Sequence, residues 1–190
     1  MGDVIRGVQP AEEFALTPAA AQEAAFDAVF REHYPRVAGM LARLTGDRGQ
    51  AEEIAADVFC KLSGRPGTLR NRDQWMPWLY RVATNAGLDA LRSNARRKRR
   101  EQFAGTQGLH AEGTNALDGM LLEERCGRVR DVLGSLKPRE AQMLLLRANG
   151  LAYRELAETL GIQPGSVGTL LARAEAEFER RFRARYGDDL

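Results

Sequence analysis

The 190-residue chain is long enough for one large domain or two small ones, and its 44% hydrophobic content is that of an ordinary globular protein. Its net charge of +2 hides an uneven distribution: Arg96, Arg97, Lys98, Arg99 and Arg100 are consecutive, while Glu52, Glu53 and Asp57 gather earlier, so separate surfaces for separate partners are expected. The two cysteines lack metal-ligand spacing, no apolar run nears the ~20 residues of a membrane span, and the N-terminus lacks an export signal, which argues against a disulfide or zinc framework, membrane insertion and secretion. The cytoplasm is the expected setting.

Nearly every segment reads as helix, because Val, Ile and Thr are sparse and no stretch alternates as strands do. Residues 1 to about 16 read as a frayed tail. Thr17-Pro18 offers a hydroxyl cap followed by a first-turn proline. Phe26, Val29, Phe30, Val37, Leu41 and Leu44 then recur at three- and four-residue steps as one apolar stripe, with Pro35 expected to kink or restart the helix.

Gly46-Asp47 is a stop followed by a start, with Gln50 placed to complete a capping box. Ile54, Ala55, Val58, Phe59 and Leu62 form the buried side of the second helix, which Gly64, Pro66 and Gly67 end. Asp73 offers the next cap. Trp78, Leu79, Val82, Ala83, Ala86 and Ala90 then give a third amphipathic helix that runs into the arginine cluster, and Trp78 is expected in the core.

Residues from about 101 to 116 hold several glycines and little apolar period, and read as a flexible linker. Beyond it Leu122, Cys126, Val129, Leu133 and Leu136 repeat at helical spacing, Pro138 opens another helix, and Gly150 and Gly161 punctuate two more. The expected fold is all-α: a tail over 1–21, a helical domain over 22–100, a basic flexible linker over 101–116, and a second helical domain over 117–186.

The second domain carries a helix-turn-helix pattern. Ala157 is small where a second helix must cross closely, and Gly161 suits a left-handed turn. Ile162 and Val167 plug the angle between the helices, and Leu170 anchors the second helix. Gly165, Ser166, Gly168, Thr169, Ala172 and Arg173 are left to face a major groove.

Two longer stretches give the pattern a role. AEEIAADVFCKL and WMPWLYRVATNAGLDALR resemble sigma region two, and LKPREAQMLLLRANGLAYRELAETLGIQPGSVGTLLARAEAEF resembles sigma region four. Their order and short linker resemble the extracytoplasmic-function (ECF) sigma factors of the sigma-70 family, over residues 22 to 182. The resemblance implies a chain that binds core RNA polymerase and promoter DNA and catalyses nothing, with no cofactor and no metal.

By the same resemblance, the helix with Glu52, Glu53, Asp57, Val58 and Phe59 grips the clamp helices of the polymerase beta-prime subunit, acidic groups beside an apolar patch. The exposed side of the third helix, with Tyr80, Arg81, Thr84, Asn85 and Arg92, meets the minus-ten element. Arg70, Asn71 and Arg72 belong to a base-capturing loop, and Arg96 and Arg97 open the run that lies on phosphates. Region four meets the beta flap and the minus-thirty-five element, although its second helix keeps only Arg173 where the family carries several basic residues. An anti-sigma protein is a further partner that the family allows.

Two rival readings stand beside this one. A free repressor would use the helix-turn-helix alone and leave the first block unexplained. A nucleic-acid enzyme would need a catalytic constellation, and His33 and His110 have no partnered carboxylate or cysteine motif around them.

Overall fold

The computed structural model describes residues 18–65, 69, 71–103 and 116–187, and all of its regular structure is helical. The order is α1 (Pro18–Thr45), α2 (Arg48–Ser63), α3 (Arg72–Phe103), α4 (Ala116–Ser135), α5 (Pro138–Ala148), α6 (Tyr153–Leu160), a short 3-10 turn (Pro164–Ser166) and α7 (Val167–Tyr186). The expected tail and Thr17 cap, Pro66, Gly67 and His110 lie outside the described residues. So does most of the expected linker, whose described ends belong to α3 and α4.

α1 runs unbroken through Pro35, with no restart. Its end and the start of α2 are set by local hydrogen bonds. Gly46 takes φ 73°, and Asp47 Oδ1 accepts from the backbone N–H of Gln50 at 3.0 Å. The reciprocal half of the expected capping box is not made. The Gln50 side-chain oxygen instead accepts from Asn94 Nδ2 at 2.8 Å, tying α2 to α3. α3 begins at Arg72, one residue before the expected cap Asp73, with Trp75 N–H bonded to Asn71 C=O.

α1 and α3 cross closely at Gly87, where an added Cβ would come within 2.7 Å of the Leu41 and Leu44 methyls. Around this crossing Val37, Leu41, Ala55, Val58, Phe59, Leu62, Leu79 and Ala83 are buried. The same cluster includes Leu146, Leu151, Leu156, Ala157 and Val167 from α5 to α7. A second cluster joins Leu44, Leu88 and Leu91 of the first block to Leu133, Leu136 and Ala141 of the second. The two helical blocks expected from the sequence are both present, and two separate apolar clusters each span them.

In the second block the turns form as their residue types dictate. Gly150 and Gly161 take positive φ of 85° and 62°. Lys137 N–H donates to Glu140 Oε2 at 3.2 Å, and Ala152 N–H donates to Glu155 Oε2 at 2.7 Å, so a carboxylate one turn in satisfies the start of α5 and of α6. Ile162 N–H closes onto Ala157 C=O at 3.0 Å, which fixes the angle between α6 and α7. Val167 is fully buried there. Leu170, expected as the anchor of α7, is only half-buried; Leu171, one residue on, takes the deeper position with Ala174.

Candidate nucleic-acid interface

Glu52, Glu53 and Asp57 line the exposed side of α2. Glu52 pairs with Arg48 at 2.9 Å, whereas Glu53 and Asp57 make no ion pair among the described residues. Val58 and Phe59 are not part of this surface. Both are 1% exposed, and the Phe59 ring packs edge-on to Phe30 at 5.2 Å and beside Tyr34 at 5.5 Å. The exposed aromatic ring packed on Phe59 comes from α1: Phe30 is 37% exposed and stacks on Tyr34 at 4.6 Å. The sequence reading placed Phe30 on the core stripe. Its spacing from Phe26 and Tyr34 was visible, but which ring stays in solvent depends on how α2 lies across α1.

Two of the five residues assigned to the exposed side of α3 are buried. Tyr80 is 2% exposed, with its hydroxyl 3.3 Å from His33 Nδ1. Thr84 is fully buried, and its hydroxyl donates to Tyr80 C=O at 2.8 Å. Tyr80 and Thr84 are four residues apart, on the side that α3 turns toward α1, so the correction follows from helical phase. Trp75 is buried as well, while Trp78 is half-buried beneath the Arg65 guanidinium, 4.3 Å from its ring. Asn71 is exposed at the head of α3; Arg70 and the side chain of Arg72 lie outside the described residues.

What remains is a polar stripe. At 3.6 residues per turn, Arg81, Asn85, Arg92, Arg96 and Arg99 fall within about 60° of one another. The whole basic run is helical, since α3 continues to Phe103. Arg97 lies off the stripe and pairs with Glu101 at 3.7 Å.

The second block touches the stripe at Asn85 and Arg92, while Arg81, Asn85, Arg96 and Arg99 stay exposed. The Gln142 amide donates to Asn85 Oδ1. Arg92 donates to the carbonyls of Gly134 and Leu136, at 3.4 and 3.3 Å, where α4 ends. Beside them Arg36 and Arg43 of α1 reach the carbonyl and side-chain oxygen of Asn149, at 3.2 and 3.0 Å. A cavity of about 370 Å³ opens along the seam, lined by Arg92, Arg96, Arg99, Arg130 and Arg185 with Asp131 the one carboxylate. Asp131 is already engaged by the Tyr186 hydroxyl at 2.8 Å and Arg185 at 3.4 Å, and burial with this hydrogen bond raises the Tyr186 phenol above its usual range.

On the helix-turn-helix, Gly165, Ser166, Gly168, Thr169, Ala172 and Arg173 are all exposed, as expected. Arg173 makes no ion pair among the described residues. Tyr153, missed in the sequence, stands 48% exposed at the start of α6. A Cβ at Gly168 would touch its ring edge at 3.8 Å, and Arg147 lies 5.6 Å from the ring centre. An aromatic hydroxyl and a second guanidinium thus stand beside the N-terminus of α7. Only the packing of α6 on α7 reveals them.

A helical block ending in an arginine stripe, followed by a helix-turn-helix with an open outer face, defines a two-region DNA-binding protein. Residues 29–97 match the family model described as Sigma-70 region 2, and residues 126–178 match Sigma-70, region 4. The chain is 30% identical to the RNA polymerase sigma factor CarQ of Myxococcus xanthus, across 75% of this chain and 80% of that one. It is 27% identical to the ECF RNA polymerase sigma factor SigE of Mycolicibacterium smegmatis, across 90% and 68%. It is 25% identical to the RNA polymerase sigma-H factor of Pseudomonas aeruginosa, across 82% and 85%. The chain belongs to the sigma-70 family, in its ECF group, and acts in promoter-specific transcription initiation with RNA polymerase. No helix among the described residues is long and apolar enough to cross a membrane.

Proposed function

We propose that this chain is a dissociable, non-catalytic sigma subunit of the cytoplasm, built from region two over 22–100 and region four over 117–186. Glu53 and Asp57, and the exposed Phe30 ring of α1, grip the beta-prime clamp helices: exposed carboxylates steer a basic partner and an exposed ring anchors it. Arg81, Asn85, Arg92 and Arg96 meet the minus-ten element, with Arg97 as a phosphate contact at its flank. Once strands separate, an amide can pair with a base edge and guanidiniums with phosphates. Asn71 and Arg72, with Arg70, complete the base-capturing loop.

Region four meets the beta flap and the minus-thirty-five element through Ser166, Thr169 and Arg173 and the backbone of Gly165 and Gly168. Tyr153 stands beside them. Phosphodiester chemistry is left to the polymerase, and an anti-sigma protein would act by covering one of these faces.

The observation that carries this reading is the alignment of Asn85 with Arg92 and Arg96 on one side of an unbroken α3. The experiment is transcription by purified core polymerase on a genomic DNA library, with and without the chain. New, chain-dependent start sites are expected, and their absence removes the proposal.

A further inference from the structure

We propose that the cavity between α3, α4 and α7 is a binding site for a small polyphosphate, a compound that carries several phosphate groups within the span of a nucleotide. The cavity holds about 370 Å³ and is lined by Arg92, Arg96 and Arg99 of α3, Arg130 of α4 and Arg185 of α7. The three arginines of α3 stand four and then three residues apart, so one side of the helix supplies all of them. The assignment of α3 to the minus-ten element uses Arg92 and Arg96 and gives no part to Arg130 or Arg185.

Charge singles the cavity out. Glu123 pairs with Arg130, and Asp131 pairs with Arg185 at 3.4 Å. Asp131 also accepts from the Tyr186 hydroxyl at 2.8 Å, which commits it to α7. Arg92 donates to two backbone carbonyls, which carry no net charge. Arg92, Arg96 and Arg99 make no ion pair among the described residues. Two carboxylates therefore answer five guanidiniums. Like charges gathered in a recess repel one another, and a multiply charged anion removes that repulsion.

Phosphate suits this donor set. A guanidinium forks onto two oxygens of one phosphate, and a chain of phosphates offers that geometry to several arginines at once. The volume is at the small end of ligand pockets, about 300 to 1,000 Å³, and a recess walled by three helices takes a compact anion rather than a duplex. Leu91 and Ala95 add an apolar strip beside the arginines, against which the base or sugar of a nucleotide can rest.

The test titrates the full chain, without polymerase and at fixed ionic strength, with inorganic tripolyphosphate, with ATP and with sulfate, by calorimetry. Tripolyphosphate is expected to bind at a single site per chain, about tenfold or more tighter than sulfate, and to raise the melting temperature as a ligand of the folded state does. Arg185→Ala, outside the proposed DNA and polymerase faces, is expected to weaken binding by about tenfold or more, the loss of one charge-assisted contact. Arg183→Ala removes the same charge from the same helix but outside the cavity lining, and is expected to bind as the unaltered chain does.

Tighter binding of ATP than of tripolyphosphate identifies the ligand as a nucleotide, and equal or weaker binding identifies the phosphate chain alone. Equal affinities for sulfate and tripolyphosphate, several equivalent weak sites, or an Arg185→Ala chain that binds no worse than the Arg183→Ala chain each overturns the proposal. These readouts come from the chain alone, so they stand whether or not α3 serves the minus-ten element.

Discussion

The side-chain amide of Gln142, on α5, donates to the side-chain oxygen of Asn85, on α3. A carboxamide offers a donor and an acceptor side by side, the same pairing that an unstacked base edge presents. Asn85 thus holds, within the folded chain, a partner of the chemical type expected from an opened promoter strand. Gln142 is 9% exposed and sits beside Ala141 and Met143 in the buried side of α5, so the contact is held by packing rather than by chance encounter at the surface.

The first prediction concerns α2. Glu53→Arg with Asp57→Arg should abolish co-purification with core polymerase and leave the thermal midpoint nearly unchanged, since exposed charges contribute about 0 to 1 kcal/mol to folding. Retained co-purification would count against the assignment of this face.

Tyr80 and Asn85 should separate two kinds of defect on the same helix. Tyr80→Ala empties a buried aromatic site beside His33 and should cost about 3–5 kcal/mol of stability, visible in denaturant melts. Asn85→Ala removes an exposed amide and should leave stability within about 1 kcal/mol, while slowing open-complex formation on duplex templates more than on premelted ones. An equal defect on both templates would show that Asn85 acts before melting.

For region four, the full chain on polymerase is the right object, because Leu146, Leu151 and Leu156 would lose their partners in α1 and α3 if α4 to α7 were cut away. Arg173→Ala should weaken promoter binding and reduce the slope of log affinity against log salt by about 0.9, the value for one phosphate contact. An unaltered slope would place the charged contact elsewhere, with Arg147 beside Tyr153 the next residue to replace.

Acid should weaken the join between α7 and α4 through Glu177. Hydrogen bonds from Arg180, then Arg181, hold its carboxyl down to about 2 from an ordinary 4.5. A lowered folded value means that this carboxylate supports folding fully above the unfolded value, and that the support is lost as pH falls through 4.5 toward 2. Arg181 also donates to Ser135 C=O at the end of α4, so the loss is felt between helices. Glu177→Gln should lower the melting temperature near neutral pH and flatten its decline over that acid range; parallel curves for the two proteins would refute the role.

Much of this architecture was legible in residue spacing. The apolar steps of α1, the Gly46-Asp47 boundary, the first-turn Pro138 and the left-handed Gly161 are local signals, and each helix boundary they mark is set by a hydrogen bond within a few residues. The failures share a different cause. Val58, Phe59, Tyr80 and Thr84 carry residue types that suit a surface contact as well as a core, and only the crossing of α1 over α2 and α3 decides between them. Leu170 and Leu171 differ by 100° of helical rotation, which the sequence alone does not orient. The shared interior of the two blocks was invisible for the same reason: Leu146, Leu151 and Leu156 signal that a helix has a buried side, not whose side chains cover it.

One consequence of the unbroken α3 reaches beyond packing. Fourteen residues separate Asn85 from Arg99, and a rise of 1.5 Å each sets them about 21 Å apart along one line of the helix. On the proposed reading α3 is a ruler, with Asn85 as the base-reading mark at one end and Arg96 and Arg99 as phosphate-reading marks at the other. Inserting a single alanine between Asn85 and Arg92 would leave every side chain present, yet turn the arginine marks by about 100° away from the amide.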